Sequence, residues 1–127
     1  MSGRVTHFEI PADDVDRAQA FYREAFGWRI QSIPEMNYTL VSTTEIDDSG
    51  APKEPGAING GLMTRGGAFT APVITVETDD IDDTLLTIEK LGGAVAAPKM
   101  TVGDMGFAAY FTDTEGNVIG LWQNARK

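Results

Sequence analysis

The sequence predicts an α+β fold made of two tandem βαβββ modules whose mixed β-sheets curl into a cup, with one helix of each module on the outside. Two observations carry this expectation. An acid-opened, glycine-closed amphipathic segment, Asp13 to Gly27 (DDVDRAQAFYREAFG), returns in the same design sixty-six residues later as Asp79 to Gly93 (DDIDDTLLTIEKLGG). The flanks match as well: a short β-like run enters each copy, Thr6 to Ile10 and Val73 to Glu77, and strand-like runs leave it. One module is written twice, over residues 1–66 and 67–127, in a chain of single-domain length.

Arg4 to Pro11 reads as the first strand, with Val5, His7 and Glu9 facing one way and Phe8 and Ile10 the other. Asp13 and Asp14 then offer side-chain oxygens to the free N–H groups of a helix start and put negative charge at the positive end of its dipole. Val15, Ala18, Tyr22, Ala25 and Phe26 recur at helical spacing and form an apolar stripe to bury, and Gly27 permits the positive φ that closes many helices. Trp28 to Ile33 is a second strand, a turn falls at Pro34 to Asn37, and Tyr38 to Thr44 is a third strand. Glu45 to Ala57 collects acids, glycines and prolines without apolar spacing, the composition of a solvated loop. Ile58 to Thr64 is the fourth strand, and Arg65 to Thr70, with Gly66-Gly67, is the joint between modules.

The second half follows the same plan. A strand at Ala71 to Glu77 leads to a helix at Asp80 to Leu91 with Ile81, Leu85, Ile88 and Leu91 as its stripe and Gly93 as its closing glycine. Strands follow at Ala94 to Val102, Gly106 to Thr112 and Asn117 to Gln123, the last two joined by a tight turn in which Gly116 takes the left-handed position. Strand alternation leaves both phases open for Phe107, Tyr110 and Phe111. Helices that cover one face of each sheet leave the other free to line a pocket.

Ten basic against nineteen acidic residues give a net charge of −9, which repels phosphate backbones and anionic surfaces, so neither nucleic acid nor membrane is an expected partner. There is no cysteine, which removes disulfides, thiolate metal sites and a cysteine nucleophile. No run of about 18 apolar residues is present, and the first residues lack a signal-peptide core, so a cytoplasmic protein is expected. Phosphate-binding glycine loops and a GxSxG turn are also missing, and a single histidine without a clear nucleophile makes no triad.

The opening HFEIPADDVDRAQAFYREAFGW and the closing DTEGNVIGLWQ resemble the vicinal oxygen chelate superfamily, which comprises glyoxalase I, bleomycin-resistance proteins and extradiol dioxygenases. The likeness covers nearly the whole chain and is strongest to small proteins related to lactoylglutathione lyase. It implies the glyoxalase/bleomycin-resistance/dioxygenase fold, a homodimer, and in the enzymes a divalent metal (zinc, nickel, cobalt or manganese) held by four side chains, one from the first and one from the fourth strand of each module. Registering the repeat on its capping aspartates and glycines carries those positions onto His7, Gly61, Val73 and Gly120. One ligand of four is present, and a catalytic ion wants three or more donors from the protein.

Two readings follow. In the first, the chain is a metal-free small-molecule-binding protein whose cup is floored by Gly61 and Gly120, with open space where the superfamily keeps carboxylates. The alternation fixed by Gly120 turns Val118 and Trp122 inward, and the same rule turns Asn59, Gly61, Met63, Val73 and Thr75 inward; His7 and Glu9 join them in a mostly apolar site. In the second, the chain is a glyoxalase-type, lactoylglutathione lyase-like isomerase or lyase with a reduced metal site at His7 and Glu9, which share a strand face. A partner module with an empty apolar cup is a third possibility. Trp28 and Trp122 fit packing or dimer contacts as well as ligand contacts.

Overall fold

The computed structural model describes residues 3–36 and 38–125. In chain order the elements are β1 (Val5–Ala12), α1 (Val15–Phe26), β2 (Arg29–Ile33), a 3-10 turn (Pro34–Met36), β3 (Tyr38–Ser42), β4 (Asn59–Thr64), β5 (Val73–Glu77), α2 (Ile81–Lys90), β6 (Ala94–Val102), β7 (Gly106–Thr112) and β8 (Val118–Asn124). This is the expected pair of βαβββ modules; Asn37, the last residue of the expected turn, lies outside the described residues. The Cα framework groups into two compact units, residues 7–72 and residues 73–125 with 3–6.

In the first unit the strand order is β2-β3-β4-β1. β1 and β4 run parallel, so that Glu9 sits beside Gly61 and His7 beside Asn59. β3 lies antiparallel to β4, with Leu40 beside Gly61. Because side chains alternate along each strand, His7, Glu9, Asn59, Gly61 and Met63 share one face, and Phe8, Val41 and Leu62 share the other. α1 covers the second of these faces, and Val41 and Leu62 are fully buried there. The Asp14 side chain accepts from the Arg17 N–H, and Gly27, at φ 71°, closes the helix by donating to the Arg23 carbonyl. Trp28 stacks on Tyr22 with ring centroids 4.9 Å apart and packs against Phe8, so its role is to bind helix to sheet.

In the second unit the order is β5-β8-β7-β6, with β5 parallel to β8 and the remaining pairs antiparallel. Its core is Ile81, Ala109 and Leu121, with Val76, Leu85, Ile88, Phe107 and Phe111 packed around them. This fixes the phase that alternation left open: Phe107 and Phe111 point to α2, and Tyr110, paired with Gly120, points away from it. α2 is capped by Asp80, which accepts from the Asp83 N–H, and its first N–H, that of Ile81, reaches the Gln123 side chain of β8 at 2.8 Å. The turn before β8 is held by Asp113, whose Oδ1 accepts from the Glu115 and Asn117 N–H groups at 2.8 and 2.9 Å, and Gly116 takes φ 83°. The Asn117 side-chain amide and these backbone donors hold the Asp113 carboxyl below its ordinary range.

Two expectations from the sequence are corrected. α2 is closed by Gly92 at φ 104°, not by Gly93. Gly93 donates to the Ile88 carbonyl at 2.9 Å and Gly92 to that of Glu89 at 3.3 Å, the double bond pattern of a Schellman end. A Cβ on Gly93 would meet the Thr112 carbonyl at 2.6 Å and the Ile88 Cγ2 at 2.7 Å, so that glycine answers to close packing. The helix stripes are also less buried than their periodicity implies. No residue of α1 is buried, Phe26 is 63% exposed, and Leu91, which caps the end of α2, is 72% exposed.

Leu62→Ala, at a fully buried position, is expected to cost about 2–5 kcal/mol. Asp80→Ala, which removes a cap, is expected to cost about 1 kcal/mol. Urea unfolding followed by far-UV circular dichroism ranks the two, and equal midpoints would contradict the burial difference.

Candidate functional site

On the helix-free face of the first unit, β1 brings His7 and Glu9 two residues apart, and β4 lays Asn59 and Gly61 alongside them. The group that joins them is Tyr38, at the start of β3. Its hydroxyl donates to Glu9 Oε2 at 2.8 Å and lies 3.1 Å from His7 Nε2. To get there the ring lies across Gly61: a Cβ at that position would collide with the Tyr38 hydroxyl and with the ring carbon bearing it. Glu9 is 6% exposed, so a carboxylate with this little solvent needs such partners. Burial pushes the His7 imidazole below its ordinary value of 6.5, and the neighbouring Glu9 charge offsets part of that fall.

The remaining positions on this face have more local duties. Asn59 uses its side-chain oxygen to accept from the Thr43 N–H at 2.8 Å and from the Thr43 hydroxyl at 3.2 Å, which pins the end of β3 to β4. Met63 sits half-buried beside Pro11.

In the second unit, Val73, Thr75, Val118, Gly120 and Trp122 share the helix-free face, with Thr75 beside Gly120 and Tyr110 beside Gly120 on the other side. Val73 and Thr75 are buried at 2% and 6% exposure. A Cβ on Gly120 would meet Thr75 Oγ1 at 2.7 Å and Tyr110 Cε2 at 3.3 Å. Trp122 donates from its indole to Asn124 at 2.9 Å, Asn124 donates to Glu77 at 2.8 Å, and Arg4 pairs with Glu77 at 2.7 Å.

The expectation of open space over Gly61 and Gly120 is therefore overturned. Both glycines are covered, the first by the Tyr38 phenol and the second by Thr75 and the Tyr110 ring. The expectation of a mostly apolar lining changes with it, because the first unit's face carries a hydrogen-bonded polar array. Reading β3 only as a strand does not reveal Tyr38; the available signal is a glycine on the strand next to an acid and a histidine, with a tyrosine at the start of the strand on its other side. Among the described residues there is no group of three or more His, Asp or Glu side chains placed to share a metal ion.

Residues 4–44 match the family model described as bleomycin resistance protein-like N-terminal. Along 126 residues the chain is 28% identical to a glyoxylase-like domain-containing protein from Didymella fabae, which covers 95% of this chain and 94% of that protein. Among solved structures it is similar to methylmalonyl-CoA epimerase from Mycobacterium tuberculosis, with a TM-score of 0.63 at 15% identity over 98% of this chain and 89% of that one. It is also similar to a Streptomyces coelicolor methylmalonyl-CoA epimerase in complex with 2-nitronate-propionyl-CoA, with a TM-score of 0.65 at 20% identity over 98% and 96% of the two chains. At these identities the structural likeness speaks for the fold. The family match over residues 4–44 and the glyoxylase-like relative agree with the resemblance of the opening and closing motifs to the vicinal oxygen chelate superfamily of glyoxalase I, bleomycin-resistance proteins and extradiol dioxygenases.

Proposed function

We propose that the chain is a metal-free, dimeric, cytoplasmic small-molecule-binding protein, comparable in architecture to bleomycin-resistance proteins, whose ligand lies against the helix-free face around His7, Tyr38 and Glu9. The observation that carries this reading is the Tyr38 phenol lying across Gly61, a position at which the resemblance implies a metal ligand in the enzymes. Glycine at 61 and 120 and valine at 73 offer no donor, so the residues present do not fit a divalent ion held from four strands. The dimer is supported by exposed aromatics on α1, where Phe21 and Phe26 stand 61% and 63% exposed. No described helix is long and apolar enough to cross a membrane.

A second reading keeps a reduced metal site at His7 and Glu9 in a glyoxalase-type isomerase or lyase. It is favoured by the fact that both side chains reach one oxygen atom, the Tyr38 hydroxyl, and so lie close together. Metal analysis of purified, tag-free protein, followed by calorimetric titration with zinc, nickel, cobalt and manganese, separates the two. The metal-free reading expects no stoichiometric ion and no tight binding. Sub-micromolar binding that vanishes in His7→Ala would overturn it. Sedimentation equilibrium is expected to give twice the chain mass; a monomer at micromolar concentration would remove the dimer.

The array also has a pH signature. Folding depresses the His7 pKa, so the unfolded chain binds more protons than the folded one between the folded value and 6.5. Stability therefore falls as pH drops through that window and stays lowered beneath it. Asp47 and Asp113 are likewise depressed, from 3.8, and lose their contribution only in more acidic solution. Urea midpoints measured between about pH 7.5 and 5 should decline, and His7→Asn should flatten the decline. An unchanged slope in the variant would show that another group is responsible.

A further inference from the structure

The Tyr38 hydroxyl carries one proton, and the geometry assigns it. It donates to Glu9 Oε2 at 2.8 Å. An ionised carboxylate only accepts hydrogen bonds, so the proton cannot be directed at His7 as well. The contact at 3.1 Å between Tyr38 and His7 Nε2 is then made by a proton on the imidazole, with Nε2 donating and the phenol oxygen accepting. A neutral ring that holds its proton on Nε2 has its lone pair on Nδ1, where the ring accepts.

We propose that Tyr38 is a positioning residue that locks His7 in the Nε2–H tautomer, and that the site consequently takes a ligand presenting an O–H or N–H donor to His7 Nδ1. The ligand class rests on the binding face proposed above; the tautomer does not. The lock is built from three strands. Glu9 and His7 come from β1, Tyr38 from β3, and Gly61 of β4 leaves the ring its bed. Among the described residues no other hydrogen bond to the His7 ring is present, so Nε2 alone is engaged. A donor ligand completes the chain in one direction, ligand to Nδ1, Nε2 to Tyr38, Tyr38 to Glu9, each proton shared with the next acceptor. A ligand that offers only acceptors meets a lone pair with nothing to give it. No bond is broken in this arrangement.

His7 is the only histidine in the chain, so 15N labelling of histidine gives the spectrum of a single ring. Recorded on the full-length protein above the ring's titration, Nε2 is expected in the pyrrole-like range and Nδ1 in the pyridine-like range. In Tyr38→Phe, which keeps the ring over Gly61 and removes the oxygen, the two resonances should move toward the averaged values of mixed tautomers. A wild-type ring protonated on Nδ1, or a Tyr38→Phe spectrum identical to wild type, overturns the lock. A merely structural role for the phenol predicts that identity. The ligand class is tested on the same sample with a matched pair of probes, phenol and anisole, at millimolar concentration. Phenol should shift Nδ1, and anisole, which lacks the donor, should leave it in place. Equal shifts from both overturn the donor preference with the lock intact, and no shift from either, with the tautomer as assigned, overturns the binding face itself.

Discussion

Tyr38 reaches Glu9 and His7 only by lying flat on the sheet, and it can lie flat only because the residue beneath it, Gly61, has no side chain. Much of the first unit's polar face depends on that contact. Glu9 is buried on a β-sheet in a chain with no second histidine and no cysteine to share a metal with it, so its charge must be met by hydrogen bonds. A hydrogen bond to a charged group contributes about 1.5–3 kcal/mol, while a buried charge left unmet costs more than that. The phenol meets it without adding a charge of its own. His7 then takes the other side of the same oxygen, and its ring, kept neutral by burial, avoids forming an ion pair that would have to be desolvated on both sides.

The second unit solves the same covering problem with different residues. Gly120 corresponds to Gly61 in the repeat, yet the residue beside it on the antiparallel neighbour is Tyr110, where the first unit has Leu40. Tyr38 comes from further along its strand and crosses diagonally; Tyr110 sits directly beside its glycine and shares the cover with Thr75. Duplication therefore preserved the glycine and the presence of a tyrosine ring over it, but not the position that supplies the ring. Only the first unit surrounds its tyrosine with an acid and a histidine. In the second, the polar groups run instead from Trp122 through Asn124 and Glu77 to Arg4, an arrangement that fixes an indole in place.

This explains which parts of the fold and site could be read from the sequence. Helix starts were legible because a capping aspartate acts within three residues, and Asp14 and Asp80 both do so. Strand faces were legible because alternation is local: His7, Glu9 and Gly61 do share a face, as do Thr75, Gly120 and Trp122. The closing glycine of α2 was misplaced by one residue because Gly92 and Gly93 differ only in what surrounds them, a Thr112 carbonyl that the sequence does not announce. The cover over Gly61 was illegible for the same reason in stronger form. An aromatic ring spans about 6 Å from Cβ to hydroxyl, further than the spacing of two adjacent strands, so a tyrosine can act on a strand it does not neighbour. Periodicity says which face a side chain leaves from and nothing about how far along that face it travels. Periodicity overstates the buried helix stripes because it marks the side turned to the sheet and not how far the sheet reaches; Phe26 and Leu91, at the helix ends, stand 63% and 72% exposed.

The array also limits what kind of molecule the face can accept. Glu9 brings one negative charge, His7 is neutral, and the chain as a whole carries −9, so an anionic group set down beside Glu9 would meet repulsion in a partly dehydrated setting where charges are weakly screened. A neutral donor avoids that cost and a cation gains from it. A metal ion would also gain, but to bind between His7 and Glu9 it would have to displace the phenol from both, and Gly61 beside them would offer no donor to complete its shell. The tyrosine supplies a fixed hydroxyl between the two side chains. The proposed binding role rests on this geometry, in which a fixed hydroxyl orders His7 and Glu9 on one sheet face.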